Sequence, residues 1–256
     1  MIVAAVQSDV APTVAETLAT VSSAAAAAAE RGANLIVLPE MFATGYHVDP
    51  RELGIGAEGA GRFLEETATD LGVWLMGSHA ALSSTPGSGD SARVRNRLTV
   101  AGPNGERFHY DKRHLFTYAS EHLGYEAGGP TLSIVVDGVR ITPSICYDLR
   151  FADDFWASGP ETDLFVVVAN WPIDRQDHWS TLLTARAVEN QCYVMGVNRV
   201  GRAGDLEYQG GSCVIDPHGR LLAEVDGPWA GTALAAIDEK EVAAERARYP
   251  FLDDRR

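Results

Sequence analysis

Short apolar runs recur along the chain, and their period changes from segment to segment. Ile2–Val6 reads as a first strand. Thr13 and Glu16 stand at capping-box spacing before an apolar stripe through Val14, Leu18, Val21 and Ala25, which predicts a helix stopped at Gly32. Asn34–Leu38 is a continuous apolar run, the signature of a strand covered on both faces, and it ends in Pro39-Glu40. A loop is expected from Met41 to Gly59, then a helix over Gly61–Leu71 and a strand over Val73–Gly77. Leu164–Ala169 is again wholly apolar. Trp179–Asn190 is amphipathic, with Leu182, Leu183, Ala185 and Val188 expected on its buried side, and Tyr193–Val197 follows as a strand.

Other runs are joined by tight turns. Asp137-Gly138 is a strong two-residue hairpin signal, pairing Leu132–Val136 with Val139–Ile145. Pro103-Asn104-Gly105 joins Arg97–Ala101 to Arg107–Tyr110, and Asp216-Pro217-His218-Gly219 separates Ser212–Ile215 from Leu221–Val225. Thr232–Ile237 and Glu239–Ala247 predict a last strand and a last helix, and Ser83–Ser91 a mobile surface tip. About a dozen strands and roughly five helices result. Buried strands alternating with helices call for a layered α/β architecture, and the hairpins favour two mixed sheets. No repeat and no composition break divides residues 1–256, so a single domain is expected.

Composition narrows the function. Hydrophobic residues make up 46% and charged residues 22%, ordinary for a globular protein. A net charge of −14 argues against a nucleic-acid partner or an anionic membrane surface, which need basic patches. The N-terminus carries no basic leader and no apolar run approaches a membrane span, so a cytoplasmic protein is expected. Cys146, Cys192 and Cys213 are too few and too scattered for a disulfide framework or a thiolate metal cluster. Cys192 and Cys213 open apolar strands and fit the role of small buried hydrophobes.

Cys146 is different, because the strand Val139–Ile145 stops there and helix-like spacing begins through Leu149, Phe151 and Phe155-Trp156 up to Gly159-Pro160. The free N–H groups of a first helical turn favour an anion at that corner. Glu40 and Lys112 also stand where apolar strands run out. Gathered at one sheet edge, the three would make an acyl-transfer site. The thiol is the nucleophile, the carboxylate takes its proton, and the ammonium holds the oxyanion and lowers the thiol pKa from about 8.5. Spacing does not show that they meet. An isolated cysteine in an apolar segment is more often packing than catalysis, and Glu40 and Lys112 also fit solvated strand ends.

Leu-Pro-Glu40-Met-Phe, Tyr-Asp-Lys112-Arg-His-Leu-Phe and Ile-Cys146-Tyr-Asp-Leu-Arg-Phe resemble the three signatures of the nitrilase, or carbon–nitrogen hydrolase, superfamily, in the family's order. The resemblance extends through Ala-Asn170-Trp-Pro, His178-Trp, Thr-Ala-Arg186-Ala-Val-Glu-Asn190-Gln and Val-Asn198-Arg-Val-Gly. It implies a four-layer α-β-β-α sandwich, pairing of two protomers, no metal or organic cofactor, and a Glu40–Lys112–Cys146 triad acting on a small-molecule amide. It also implies that the Tyr147 backbone N–H assists Lys112 at the oxyanion, and that Glu121 accompanies the triad. Ser144, where Gly is frequent, and Ala152, where Pro is common, depart from the pattern without touching the triad.

The wording around Lys112 and Asn170 is similar to the omega-amidase branch, whose substrates are 2-oxoglutaramate and 2-oxosuccinamate. Such a substrate needs a cation for its far carboxylate. Arg150 is the first candidate, with an internal ion pair to Asp148 or Glu121 as its other reading. Phe42, Phe116, Tyr118 and Trp171 are candidate pocket walls, and His178 a candidate contributor. The competing readings are an aliphatic amidase, an N-carbamoyl amino-acid hydrolase or a nitrilase of the same superfamily, a non-catalytic subunit of the same fold, and a Cys–His hydrolase using His114 or His178.

Overall fold

The described residues, 1–47, 56–83 and 94–255 of a computed structural model, form fourteen strands and six α-helices. In chain order these are β1 (Ile2–Gln7), α1 (Val14–Glu30), β2 (Leu35–Val37), α2 (Gly56–Leu71), β3 (Trp74–Leu82), β4 (Val94–Ala101) and β5 (Arg107–Asp111). Then come α3 (Glu121–Gly124), β6 (Ile134–Val136), β7 (Val139–Ile145), α4 (Ala152–Ser158), β8 (Leu164–Ala169), α5 (Gln176–Asn190) and β9 (Tyr193–Asn198). The chain finishes with β10 (Val200–Ala203), β11 (Leu206–Gln209), β12 (Cys213–Ile215), β13 (Leu221–Glu224), β14 (Gly231–Ala236) and α6 (Glu239–Arg248).

Two six-stranded mixed sheets result, ordered β14-β1-β2-β3-β4-β5 and β13-β12-β9-β8-β7-β6. The period of two along a strand explains how they stack. On β1, Ala4 and Val6 face outward to Val21 and Ala25 of α1 and Leu64 of α2. Val3 and Ala5 face inward to the core shared with Ile141 and Val166 of the second sheet. Beyond that sheet, Trp179 and Leu183 of α5 and Phe155 of α4 close the outer face. The layers are therefore α1 and α2, sheet, sheet, α4 and α5, the expected α-β-β-α sandwich.

Local chemistry sets the element ends. The Thr13–Glu16 capping box forms in full at the start of α1. Asp137 and Gly138 both take positive φ, +48° and +88°, as the tight β6–β7 turn demands. Pro143 lies beyond the last β6–β7 pair, Ile134 with Ile141, where a missing N–H breaks no hairpin hydrogen bond.

Two expectations are corrected and one element is new. The β10–β11 hairpin, a sheet of its own, was not foreseen, because its strands are mostly exposed and carry no buried run. α2 begins at Gly56, inside the stretch read as loop. α5 buries Trp179, Leu183, Arg186, Ala187 and Asn190, while Val188 is 50% exposed. Arg186 turns inward because it donates to the Leu149 carbonyl and pairs with Glu189. The tip expected at Ser83–Ser91 lies outside the described residues from 84 onward.

α2 approaches β3 where Gly61 faces His79; a Cβ there would stand 3.0 Å from the imidazole. Buried His79 bonds the Ala80 carbonyl and Thr99. Desolvation lowers its pKa from 6.5 to about 4. The unfolded chain therefore takes up this proton first, and stability held above pH 6.5 is lost as the pH falls towards 4. The full shift corresponds to about 3 kcal/mol. His79→Gln should flatten the acid limb of a urea-unfolding stability profile between pH 6.5 and 4; an unchanged limb would assign the loss elsewhere.

Candidate active site

Cys146 sits on a corner. β7 ends at Ile145, and a single 3-10 turn runs over Cys146–Arg150. Cys146 takes φ +48°, a left-handed conformation that a non-glycine residue holds only when its surroundings enforce it. Asp148 enforces it. Its buried carboxylate accepts from the Ile145 N–H at 3.0 Å, the Tyr110 hydroxyl at 2.7 Å and the His114 N–H at 2.8 Å. One side chain thus ties the corner to β5 and to the segment that follows Lys112.

Lys112 follows β5 and Glu40 follows β2 after Leu38-Pro39, and both are only 2% exposed. Lys112 Nζ donates to Glu40 Oε1 at 3.0 Å and to Glu121 Oε1 at 2.9 Å. Glu121 is fully buried at the start of α3, and its other oxygen accepts from the Phe116 N–H at 2.6 Å. Glu40 Oε1 also accepts from Asn96 Nδ2 at 2.8 Å, and Oε2 from the Asn170 N–H at 2.8 Å. Cys146 Sγ lies 3.9 Å from the Asn170 carbonyl, with the Glu40 carboxylate near enough to raise the thiol pKa. The three strand-end residues of the sequence reading, with Glu121, therefore meet at one edge of the paired sheets.

The electrostatics of this cluster correct one expectation. Burial would push the Lys112 ammonium down, but attraction to Glu40 and then Glu121 wins and holds its pKa well above the ordinary value. Burial and the nearby Glu40 carboxylate push the Cys146 thiol well above 9.0, and Lys112 offsets this only in part. The thiol pKa is therefore raised, where the sequence reading expected Lys112 to lower it. A carboxylate beside a protonated thiol is a base and its proton donor already in position.

A cavity of about 750 Å³ opens over the cluster. Phe116 and Trp171, two of the four candidate walls, line it, and so do Tyr147 and Arg150. Phe42 does not. It is buried in the outer layer against Phe63, because the chain turns at Met41 (φ +47°) and sends the following side chain towards α2. Tyr118 does not line it either, being 86% exposed on the loop before α3. Arg150 makes no ion pair with Asp148 or Glu121; it lies over the Trp171 ring at 4.7 Å and bonds His178 Nδ1 at 3.2 Å. His114 pairs with Asp154 and stacks on Phe151, and does not line the cavity.

Several lining residues escaped the sequence reading, among them Tyr46, Arg175, Arg199, Arg202 and Tyr208. Arg199 is buried, pairs with Asp9 at 2.7 Å and lies over Tyr208 at 4.6 Å. Its only sequence signal was its place in Val-Asn198-Arg-Val-Gly. Tyr46 carries a buried hydroxyl with no hydrogen-bond partner among the described residues, and burial, then Glu121, raises its pKa so that it stays a donor. Among the described residues no group of three His, Cys, Asp or Glu side chains is placed to hold a metal ion, and no helix is long and apolar enough to cross a membrane.

The profile of the carbon-nitrogen hydrolase family matches residues 2–247. The chain is 38% identical over 225 residues to an omega-amidase of Escherichia coli (strain K12), covering 87% of this chain and 84% of that protein. It is likewise 38% identical over 230 residues to a 2-oxoglutaramate amidase of Bacillus subtilis (strain 168), covering 87% and 85%. Among solved structures it is similar to a CN-hydrolase superfamily protein of Xanthomonas campestris with an arsenic adduct in its active site. That match has a TM-score of 0.86 and 32% identity and covers 100% of this chain and 97% of the other. A mutant amidase from Nesterenkonia sp. AN1, showing covalent addition of the acetamide moiety of fluoroacetamide at its active site cysteine, matches with a TM-score of 0.85 and 26% identity, over 100% and 94% of the two chains.

The Asp148 bridge yields a prediction. In Asp148→Asn, an amide N–H must face one of the three donors, so stability should fall by about 1–3 kcal/mol in urea unfolding. The turnover number should fall further than in Tyr110→Phe, which removes one donor and leaves the Ile145 and His114 contacts in place. Equal turnover in the two variants would show that the backbone contacts do not hold the corner.

Proposed function

The chain belongs to the carbon–nitrogen hydrolase family, and from that premise we propose that it is an omega-amidase, releasing ammonia from the terminal carboxamide of a short 2-oxo acid such as 2-oxoglutaramate or 2-oxosuccinamate. The observation that carries this reading is the buried Glu40–Lys112–Glu121 network beside the Cys146 thiol, at the base of a cavity whose wall presents Arg150. The relatives of E. coli and B. subtilis support the substrate class.

Glu40 takes the thiol proton as Sγ bonds to the amide carbon, and the carbonyl electrons move to oxygen. The oxyanion lies between Lys112 Nζ and the Tyr147 N–H, which as part of a first helical turn has no partner within it. Protonated Glu40 then passes its proton to the amide nitrogen as the C–N bond breaks, and ammonia leaves a thioester. Water enters, gives a proton to Glu40 and attacks the thioester carbon; the C–S bond breaks and the thiol recovers its proton. Glu121 fixes Lys112 from the side opposite Glu40 and holds the backbone at Phe116. Arg150, packed over the Trp171 ring, receives the far carboxylate. These steps draw on protein groups and water alone.

The same reading takes the chain as one domain, acting in the cytoplasm and paired as a homodimer. Trp156 of α4 and Val188 of α5 support pairing, since both leave apolar surface exposed on the outer helical layer.

Ammonia release from a substrate panel tests the reading. The wild type should hydrolyse 2-oxoglutaramate or 2-oxosuccinamate in preference to simple aliphatic amides, carbamoyl amino acids and nitriles. Turnover of another amide with none of these two would sink the substrate assignment. Cys146→Ala should show no detectable turnover, and Glu40→Gln should lose about 10²–10⁴-fold in turnover number; a harmless Glu40→Gln would transfer the base role to a histidine. Light scattering on the eluted protein should give twice the 27.5 kDa chain mass, and a monomer mass would remove the dimer.

A further inference from the structure

The cavity holds more positive charge than one substrate carboxylate needs. Arg150, Arg175, Arg199 and Arg202 all line it. Arg199 is neutralised by Asp9, and Arg202 stands exposed on the β10–β11 hairpin, where solvent screens it. Arg150 and Arg175 remain, half-buried and with no carboxylate partner among the described residues.

Both lie against aromatic faces of the same wall. Arg150 is over Trp171 at 4.7 Å and Arg175 over Phe116 at 5.6 Å. Trp171 links the two, because its indole N–H donates to the Arg175 carbonyl at 2.7 Å. Phe116 continues the wall to Tyr147, with ring centroids 4.9 Å apart. A guanidinium packed over a ring still presents N–H groups at its edge, and that edge matches a carboxylate; in Arg150 one of them bonds His178.

Charge balance gives the second arginine its purpose. Glu40, Glu121 and Lys112 leave the reacting end with one formal negative charge, two carboxylates against one ammonium. A 2-oxo acid amide brings another. One guanidinium would only balance the substrate, leaving the cluster's own charge to repel it. Two guanidiniums balance both.

We propose that Arg175 is a substrate-binding and specificity-determining residue that works with Arg150 as a two-guanidinium clamp, selecting amides that carry an anionic 2-oxo carboxylate. This rests on the omega-amidase reading and adds a residue to it.

The test measures how well 2-oxoglutarate, the dicarboxylate product of 2-oxoglutaramate, protects Cys146 from alkylation by iodoacetamide. Cys192 and Cys213 are buried, and burial pushes both thiols up to about 12, so the reagent reports on Cys146. Each variant is read against its own unprotected rate, which cancels any change in thiol reactivity. Arg175→Gln should raise the half-protecting concentration about ten- to hundredfold, the loss of one charge-assisted contact. Arg175→Lys, which keeps the charge without the planar fork, should fall between. The Michaelis constant for 2-oxoglutaramate should rise in parallel, with a smaller change in turnover number. Equal protection in wild type and Arg175→Gln, or no protection of the wild type, would overturn the clamp. Absence of ammonia release from 2-oxoglutaramate by the wild type would instead overturn the omega-amidase reading, whatever the protection measurement gives.

Discussion

A lysine ammonium with almost no solvent exposure must be held by carboxylates, and in this protein that requirement organises everything around it. Lys112 lies between Glu40 and Glu121, each within 3.0 Å, and each comes from a different part of the chain. Burying such charges is costly, and removing one partner from a buried pair typically costs about 3–5 kcal/mol. The cluster therefore forms only when the ends of β2 and β5 and the start of α3 are brought together. Asn96 and Asn170 complete the Glu40 carboxylate from two further strands, β4 and the end of β8. The site is a consequence of the two sheets stacking, and it fastens them in turn.

The same burial decides the state of the nucleophile. In water an adjacent lysine would pull a cysteine towards thiolate. Here desolvation and the Glu40 carboxylate oppose that pull, and the sulfur keeps its proton. Such a site stores no free thiolate that would react with any passing electrophile. It couples proton removal to the arrival of a carbon to attack, and the strained Cys146 corner, held by Asp148, aims the sulfur while it waits.

Charge is also gathered at the cavity. Glu40, Lys112 and Glu121 form a buried cluster there, and the cavity wall also carries Arg150 and Arg175 against aromatic rings. A neutral amide feels little of this charge. On the proposed reading, an amide with a carboxylate at its other end is oriented by those guanidiniums, so selectivity and orientation would come from one arrangement.

Much was legible in one dimension because it depends on local periodicity or on motifs whose residues are neighbours. The buried runs of β1 and β8, the Thr13–Glu16 cap, the Asp137-Gly138 turn and the strand-end positions of Glu40, Lys112 and Cys146 are of this kind. The α-β-β-α layering was expected from the alternation of buried strands and helices together with the family resemblance. Other features depend on which surface a residue meets after folding. Phe42 follows Glu40 directly, yet a positive φ at Met41 turns it into the outer core. Val188 fits the apolar stripe of α5, yet buried Arg186, bonded to the Leu149 carbonyl, shows which face lies inside. Arg175 and Tyr208 sit in polar or half-exposed segments whose pattern matches any solvated surface. Sequence by itself determined most of the strands and the strand-end positions of Glu40, Lys112 and Cys146, because hydrogen-bond geometry and apolar period act between near neighbours. Tertiary structure alone decided the protonation of Cys146, the partners of Arg150 and the walls of the cavity, because burial and Coulomb interactions depend on distances that only the packed sheets define.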